Sequence, residues 1–197
     1  MAGGAGRRLM AGEKPLLLVR DRPMVAWVTD AFRKAGCEPV VVTSSQTPMT
    51  GNWCRAQGIA VQPSSGRGYV EDMIEAAMAL GEQKPLFVCV SDLPCIRPDS
   101  ICTIRERYED SGKDACSVWV PASLTNAAAD SMPYRERIDG IDACPSGINI
   151  LRGDLIAKPQ DELRILLRDC GLAFNVNTAE DRNRAEEFFR LHVRKNE

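Results

Sequence analysis

The chain has 197 residues, 44% of them hydrophobic and 26% charged, which fits one globular domain, 1–197, with a sizeable core. A formal net charge of -2 argues against a dedicated nucleic-acid binder. No apolar run approaches the length of a membrane span, and none follows the early arginines as a signal peptide would require, so a cytoplasmic location is expected.

Residues 1–13 form a glycine-rich segment. Gly3, Gly4 and Gly6 allow close backbone approach to an anion, and Arg7, Arg8 and Lys14 supply positive charge just after them. No G-K-[ST] ends the segment, and Leu9 stands where a third glycine of a dinucleotide fingerprint would be. The composition alone is equally that of a loose N-terminal tail. A helix is expected over 24–35, stopped by Gly36, then a buried strand over 38–43 built on Val40, Val41 and Val42. A short helix over 50–57 and a short strand over 59–62 follow.

The loop 63–68 contains Ser65, Gly66, Arg67 and Gly68 and leads into a helix over 69–80, with Val70, Met73, Ile74 and Ala77 expected on its core face. Glu71 or Asp72 at its start has the chemistry to accept the paired N–H groups of guanine, and equally that of an acidic first turn complementing the helix dipole. Residues 86–90 are the strongest strand pattern. Asp92 follows at once, at the strand end where ligands of open α/β sheets bind, and is either a Mg²⁺ ligand or a capping carboxylate.

A helix is expected from about residue 98 and a strand over 115–120. Residues 121–144 read as irregular and polar, a candidate flap carrying Asp130, Arg135, Glu136, Arg137, Asp139 and Asp142. A strand over 147–151, a helix over 161–168 and a strand over 173–176 complete the pattern. A last helix opens at Thr178, with Asp181 three residues on as in a capping box. Strand alternation puts Asn175 and Asn177 on one face, as ligands or as loop caps. Alternating strands and helices give an α/β, Rossmann-like three-layer sandwich with a mainly parallel sheet.

None of the eight cysteines forms a C-x-x-C pair, so they read as reduced, small apolar residues. The single histidine, His192, excludes histidine triads and multi-histidine metal sites.

Taken in order, G-G-x-G-x-R and E-K-P, S-G-R-G-Y-V-E-D, V-S-D-L-P, P-S-G-I-N and F-N-V-N-T-A-E-D resemble the archaeal adenosylcobinamide-phosphate guanylyltransferases, the CobY type, within the MobA-like nucleotidyltransferases. The likeness runs from Met1 to about Glu186. The first and last motifs are shared across the superfamily; S-G-R-G-Y-V-E-D and P-S-G-I-N are the specific ones.

The resemblance implies transfer of GMP from GTP to adenosylcobinamide phosphate. It implies that Gly3, Gly4, Gly6, Arg8 and Lys14 hold the triphosphate, with Arg8, Lys14 and Asp92 catalytic. It implies that Asp92 and Asn177 hold Mg²⁺, that Ser65, Gly66, Gly68 and Asp72 face the nucleoside, and that Gly147, Asn149 and Asn175 lie by a corrinoid phosphate acceptor. A homodimer is compatible with it. Two other readings remain: a guanylyltransferase with a molybdopterin or phospholactate acceptor, and a silent nucleotide-binding protein, which the retention of Lys14 and Asp92 disfavours.

In one respect the sequence departs from the family. Members carry a central apolar strand immediately before M-A-G-G, and here that strand is absent. The expectation is that Met1 is an internal methionine; an in-frame upstream stop codon with no apolar residues before Met1 would refute it.

Overall fold

The computed structural model describes residues 1–4, 12–125 and 134–192. In chain order these form β1 (Leu18–Val19), β2 (Arg22–Pro23), α1 (Met24–Lys34), β3 (Val40–Thr43), α2 (Pro48–Ala56), β4 (Ala60–Pro63) and α3 (Tyr69–Leu80). Then come β5 (Pro85–Cys89), α4 (Pro98–Ser111), β6 (Ala115–Pro121), β7 (Glu136–Ile138), β8 (Ile141–Arg152), β9 (Glu162–Leu166) and α5 (Ala179–His192).

β3 pairs in parallel with β4, and β6 in parallel with β9, while β8 runs antiparallel between β5 and β6. Met1 and Ala2 link the two halves. The Met1 α-ammonium donates to Cys89 O at 2.6 Å, Ser91 N donates to Met1 O at 3.1 Å, and Ala2 N donates to Val42 O at 2.8 Å. That alternation is the parallel ladder, with Met1 opposite Val90. The sheet order is therefore β4, β3, Met1–Ala2, β5, β8, β6, β9, with every strand but β8 pointing the same way.

Upstream of Met1 the two neighbours diverge around a slot of about 500 Å³. Val40, Val41 and Val42 line one side, Leu86, Phe87, Val88 and Cys89 the other, with Phe32 of α1 and Met73 and Ala77 of α3 across its faces. α3 departs from the expected core face at Val70, which does not line the slot. The buried residues are Asp72, Ala76 and Ala77, whereas Val70 is 54% exposed and Leu80 46% exposed.

The main core lies between the sheet and α1 and α4. Val28, Ala31, Phe32, Ile101, Ile104 and Tyr108 pack on Cys116, Val118, Val120, Ile148, Ile150 and Ile165. A second cluster joins Phe188 and Phe189 of α5 to Val19, Met24 and Val176.

Three expectations are corrected. Residues 161–168 do not form a helix: β9 pairs with β6, from Ala115 opposite Glu162 to Trp119 opposite Leu166. The segment D-E-L-R-I-L-L-R fits both periods, and the open edge of β6 decides for the strand. Residues 173–176 form no strand; only Val176 N bonds the sheet's end, at Asp92 O, 2.9 Å. Residues 136–144 are not irregular, since β7 pairs with the start of β8 through a turn at Asp139–Gly140. The rest of the flap reading, residues 126–133 with Asp130, lies outside the described residues.

All eight cysteines are free thiols, and Cys54, Cys95, Cys116 and Cys144 are buried. Burial pushes the Cys54 thiol up to about 11 and that of Cys89 to about 12, as small apolar residues require. Among the described residues no helix is long and apolar enough to cross a membrane.

Candidate active site

At the ends of β3 and β5 the chain opens into a cavity of about 500 Å³. Gly3, Gly4, Lys14, Gly66, Gly68, Asp72, Asp92 and Asn177 all line it, joined by Gln46, Tyr69 and Ser91. Residues from six separate stretches of sequence thus converge at the carboxyl end of the parallel strands, where open α/β sheets bind ligands.

The floor is a close stack of backbone. Ser44 Oγ donates to Gly3 O at 2.7 Å, and a Cβ at Gly3 would come 3.4 Å from Ser44 Cβ. Gly66, with φ at +72°, would place a Cβ 3.3 Å from the same atom. Asp72 Oδ1 accepts from Gly66 N at 2.9 Å and Arg67 N at 3.2 Å. The carboxylate is buried, and this oxygen is spent on shaping the loop, a role that neither base reading nor a first-turn charge on the helix dipole anticipates. Ser65 faces elsewhere: its N–H and hydroxyl donate to Glu75 at 3.1 and 2.5 Å, and it does not line the cavity.

Lys14 occupies the centre. Its ammonium donates to Asp92 Oδ2 in a short ion pair and to Asn177 Oδ1 at 2.8 Å. Both charged side chains are 17% exposed. Asp92 Oδ1 is buried and has no hydrogen-bond partner among the described residues. Asp92 follows β5 directly, so the strand fixes its position. Asn177 is fixed differently: Asp181 Oδ2 accepts from Asn177 N and Thr178 N, each at 2.9 Å, and Asp181 N donates to Thr178 Oγ1 at 3.1 Å. This is the expected capping box at the start of α5, and it also holds Asn177, the metal-ligand candidate.

Lys14 itself is held by its neighbour, which sequence reasoning passed over. The Glu13 carboxylate accepts from Met49 N at 2.8 Å and from Thr50 N and Thr50 Oγ1, both at 2.6 Å. Thr47 supplies no side-chain cap to α2, because its hydroxyl serves Ser44 N. Glu13 caps α2 from outside, with its charge at the positive end of the helix. A carboxylate beside the lysine that closes the glycine-rich segment was the available signal.

Gln46 was also missed, invisible to motif spacing because the fold alone brings it to the cavity, whereas Tyr69 lies inside S-G-R-G-Y-V-E-D but was not singled out. Partial burial beside Cys89 and Asp92 pushes the Tyr69 phenol up to about 12, so it stays protonated as a donor. Gly147, Asn149 and Asn175 do not line the cavity. Gly147 borders it through Val90, and Asn175 Nδ2 lies 3.6 Å from where a Gly147 Cβ would be. Asn149 sits inside β8, paired with Val88 and Ser117. Gly6 and Arg8 lie outside the described residues.

A largely parallel sheet with one reversed strand, and ligand loops at the strand ends, is the Rossmann-like architecture of nucleotidyltransferases. A CMP:2-keto-3-deoxy-manno-octonic acid synthetase solved with CTP shares it, with a TM-score of 0.66 at 14% identity over 91% of this chain and 92% of that one. The chain belongs to the family of the MobA-like NTP transferase domain, which residues 1–152 match, and it is a nucleotidyltransferase. It is 27% identical to the adenosylcobinamide-phosphate guanylyltransferase of Methanocaldococcus jannaschii, over 94% of this chain and 93% of that protein. It is also 27% identical to a protein of Mycobacterium ulcerans described as a probable molybdenum cofactor guanylyltransferase, over 92% and 88%.

Proposed function

We propose that the chain transfers GMP from GTP to adenosylcobinamide phosphate, releasing pyrophosphate. The observation that carries this reading is the convergence of Lys14, Asp92 and Asn177 beside a glycine-floored cavity. The segments S-G-R-G-Y-V-E-D and P-S-G-I-N, and the relative from Methanocaldococcus jannaschii, support the acceptor.

The chemistry asks little of the protein beyond positioning and charge neutralisation. A phosphate monoester has a second pKa of about 6, so its oxygen is already a nucleophile near neutral pH. That oxygen forms a bond to the α-phosphorus as the Pα–O bond to the β-phosphate breaks, and the leaving pyrophosphate takes the electron pair. No general base is required, in keeping with a cavity that contains no histidine.

Gly3 and Gly4 offer backbone N–H groups to the phosphates, and Arg8 and Lys14 neutralise charge building on the leaving group. Asp92 and Asn177 would hold Mg²⁺. The buried, unpartnered Asp92 Oδ1 and the Asn177 Oδ1 nearby are hard oxygen donors, and a site with few protein ligands suits a cation completed by substrate phosphates. When bound, such a cation acts as a Lewis acid on the phosphate oxygens. The slot for the base is bounded by Gly3, Gln46, Gly66 and Asp72, whose second oxygen lies 3.6 Å from where a Gly3 Cβ would be.

The test is mass spectrometry of products from GTP, Mg²⁺ and adenosylcobinamide phosphate, with ATP, CTP and UTP in parallel. Adenosylcobinamide-GDP formed from GTP alone is expected. Molybdopterin and phospholactate run as competing acceptors decide the finer point, because the relative from Mycobacterium ulcerans favours the molybdenum-cofactor alternative. GMP transfer to molybdopterin only would overturn the corrinoid assignment.

A further inference from the structure

The Lys14 ammonium donates to one oxygen of Asp92 and to the side-chain oxygen of Asn177. These are the two groups assigned above to a divalent cation. An ammonium and a divalent cation repel each other, and two such charges cannot share the same pair of oxygens at hydrogen-bond range. Before nucleotide arrives, then, the cation position already has a positive charge in it, supplied by the chain itself.

The arrangement also shows how that charge leaves. Lys14 lines the same cavity as Gly3 and Gly4, the segment whose N–H groups would face a triphosphate. Its anchor is the backbone at Glu13, pinned to α2 by Met49 and Thr50, so the side chain can swing while its base stays fixed. Asp92 Oδ1, buried and without a partner among the described residues, is not engaged by the ammonium and remains as a foothold on the other side.

We propose that Lys14 is the resident counter-ion of the metal site, and that it yields Asp92 and Asn177 to a divalent cation only when a triphosphate offers its ammonium a new anionic partner. Metal and nucleotide therefore bind as a pair, each raising the other's affinity, a coupling that linkage makes reciprocal. The inference rests on the assignment of Asp92 and Asn177 as metal ligands. It adds that the nucleotide-free protein excludes the metal through one side chain.

The experiment is Mn²⁺ binding followed by electron paramagnetic resonance, on the whole chain without nucleotide. Wild type is compared with Lys14→Met and with Lys14→Gln, which keeps a hydrogen-bond donor but drops the charge. Both variants are checked for a cooperative unfolding transition. The nucleotide-free variants are expected to bind Mn²⁺ about tenfold more tightly than wild type, within the usual range of coupling between sites. With a non-hydrolysable GTP analogue present, wild type is expected to bind Mn²⁺ at least as well as the variants.

Equal Mn²⁺ affinity of wild type and both variants without nucleotide would overturn the inference while leaving the guanylyltransferase reading in place. Unchanged Mn²⁺ binding by Asp92→Asn with the analogue bound would instead remove the metal assignment, and the inference with it. The product assay above fails or succeeds independently of either.

Discussion

Gly147 and Val90 approach so closely that no side chain fits between them. Gly147 adopts φ +83°, its carbonyl accepts the Val90 N–H at 3.1 Å, and a Cβ on it would stand 2.7 Å from Val90 Cγ2. Val90 is β-branched and cannot rotate away cheaply. Gly147→Ala is therefore expected to cost about 1–3 kcal/mol, the usual range for a strained backbone position, and to disturb Asp92 two residues along. Urea unfolding measures the first effect and the Mg²⁺ dependence of turnover the second. An unchanged unfolding midpoint would return this glycine to the acceptor-contact role that the motif implies.

Asp72 admits a sharper separation of roles. Its Oδ1 accepts two backbone N–H groups from the 66–67 turn. Asp72→Ala strands both, and a tenfold rise in KM for the nucleotide, worth about 1.4 kcal/mol, is expected. Asp72→Asn keeps an acceptor at Oδ1 and should change KM far less. If Asn were as harmful as Ala, and if discrimination between GTP and inosine triphosphate vanished with it, the other carboxylate oxygen would be the group that reads guanine.

These two residues mark how much of the site could be read without a structure. The motifs singled out Lys14, Asp92 and Asn177, which the structure brings to one cavity, because each adjoins a strong local pattern: a glycine run, a buried strand, a capping box. They named Gly147, Asn149 and Asp72 without revealing what those residues touch, since that depends on which strands become neighbours. The same limit produced the fold errors. Residues 161–168 carry Leu163, Ile165 and Leu167 at a period of two and also satisfy a helical face; only the open edge of β6 distinguishes them. Residues 173–176 look like a strand because Phe174 and Val176 are apolar, but they serve the core under α5 and deliver Asn177 to the cavity.

Glu13 exerts its effect through Lys14. It accepts three hydrogen bonds at the start of α2 without lining the cavity. Its loss removes a cap, worth about 0.5–2 kcal/mol, and frees the backbone that carries the ammonium. Glu13→Ala is expected to lower both stability and kcat/KM, the latter about tenfold if the lost 1.4 kcal/mol is expressed in the transition state. Glu13→Gln should recover part of both, because the amide oxygen still accepts while the charge facing the helix end is gone. Full activity in a destabilised Glu13→Ala variant would reduce the residue to a cap.

Met1 offers the last test, and it bears on the whole sheet. In a chain that starts at Met1 the α-ammonium donates to Cys89 O, and burial lowers its pKa from 8.0. The folded chain therefore binds this proton less tightly than the unfolded chain. Between the lowered pKa and about 8 the unfolded state carries more protons, so stability rises with pH through that window and is lost as pH falls. Converting the amine to an amide removes the titration yet leaves an N–H to meet Cys89 O. With Met1 opposite Val90, five added residues would run alongside Pro85–Cys89 in the slot of about 500 Å³. Large apolar side chains gain about 1.5–3 kcal/mol each on full burial, against about 1.5 kcal/mol per residue ordered. A five-residue extension rich in Val and Ile is thus expected to raise the unfolding midpoint and abolish the pH slope. A Gly-Ser extension of the same length should abolish the slope without the gain. Equal midpoints for the two extensions would mean that the slot between β3 and β5 does not receive a strand.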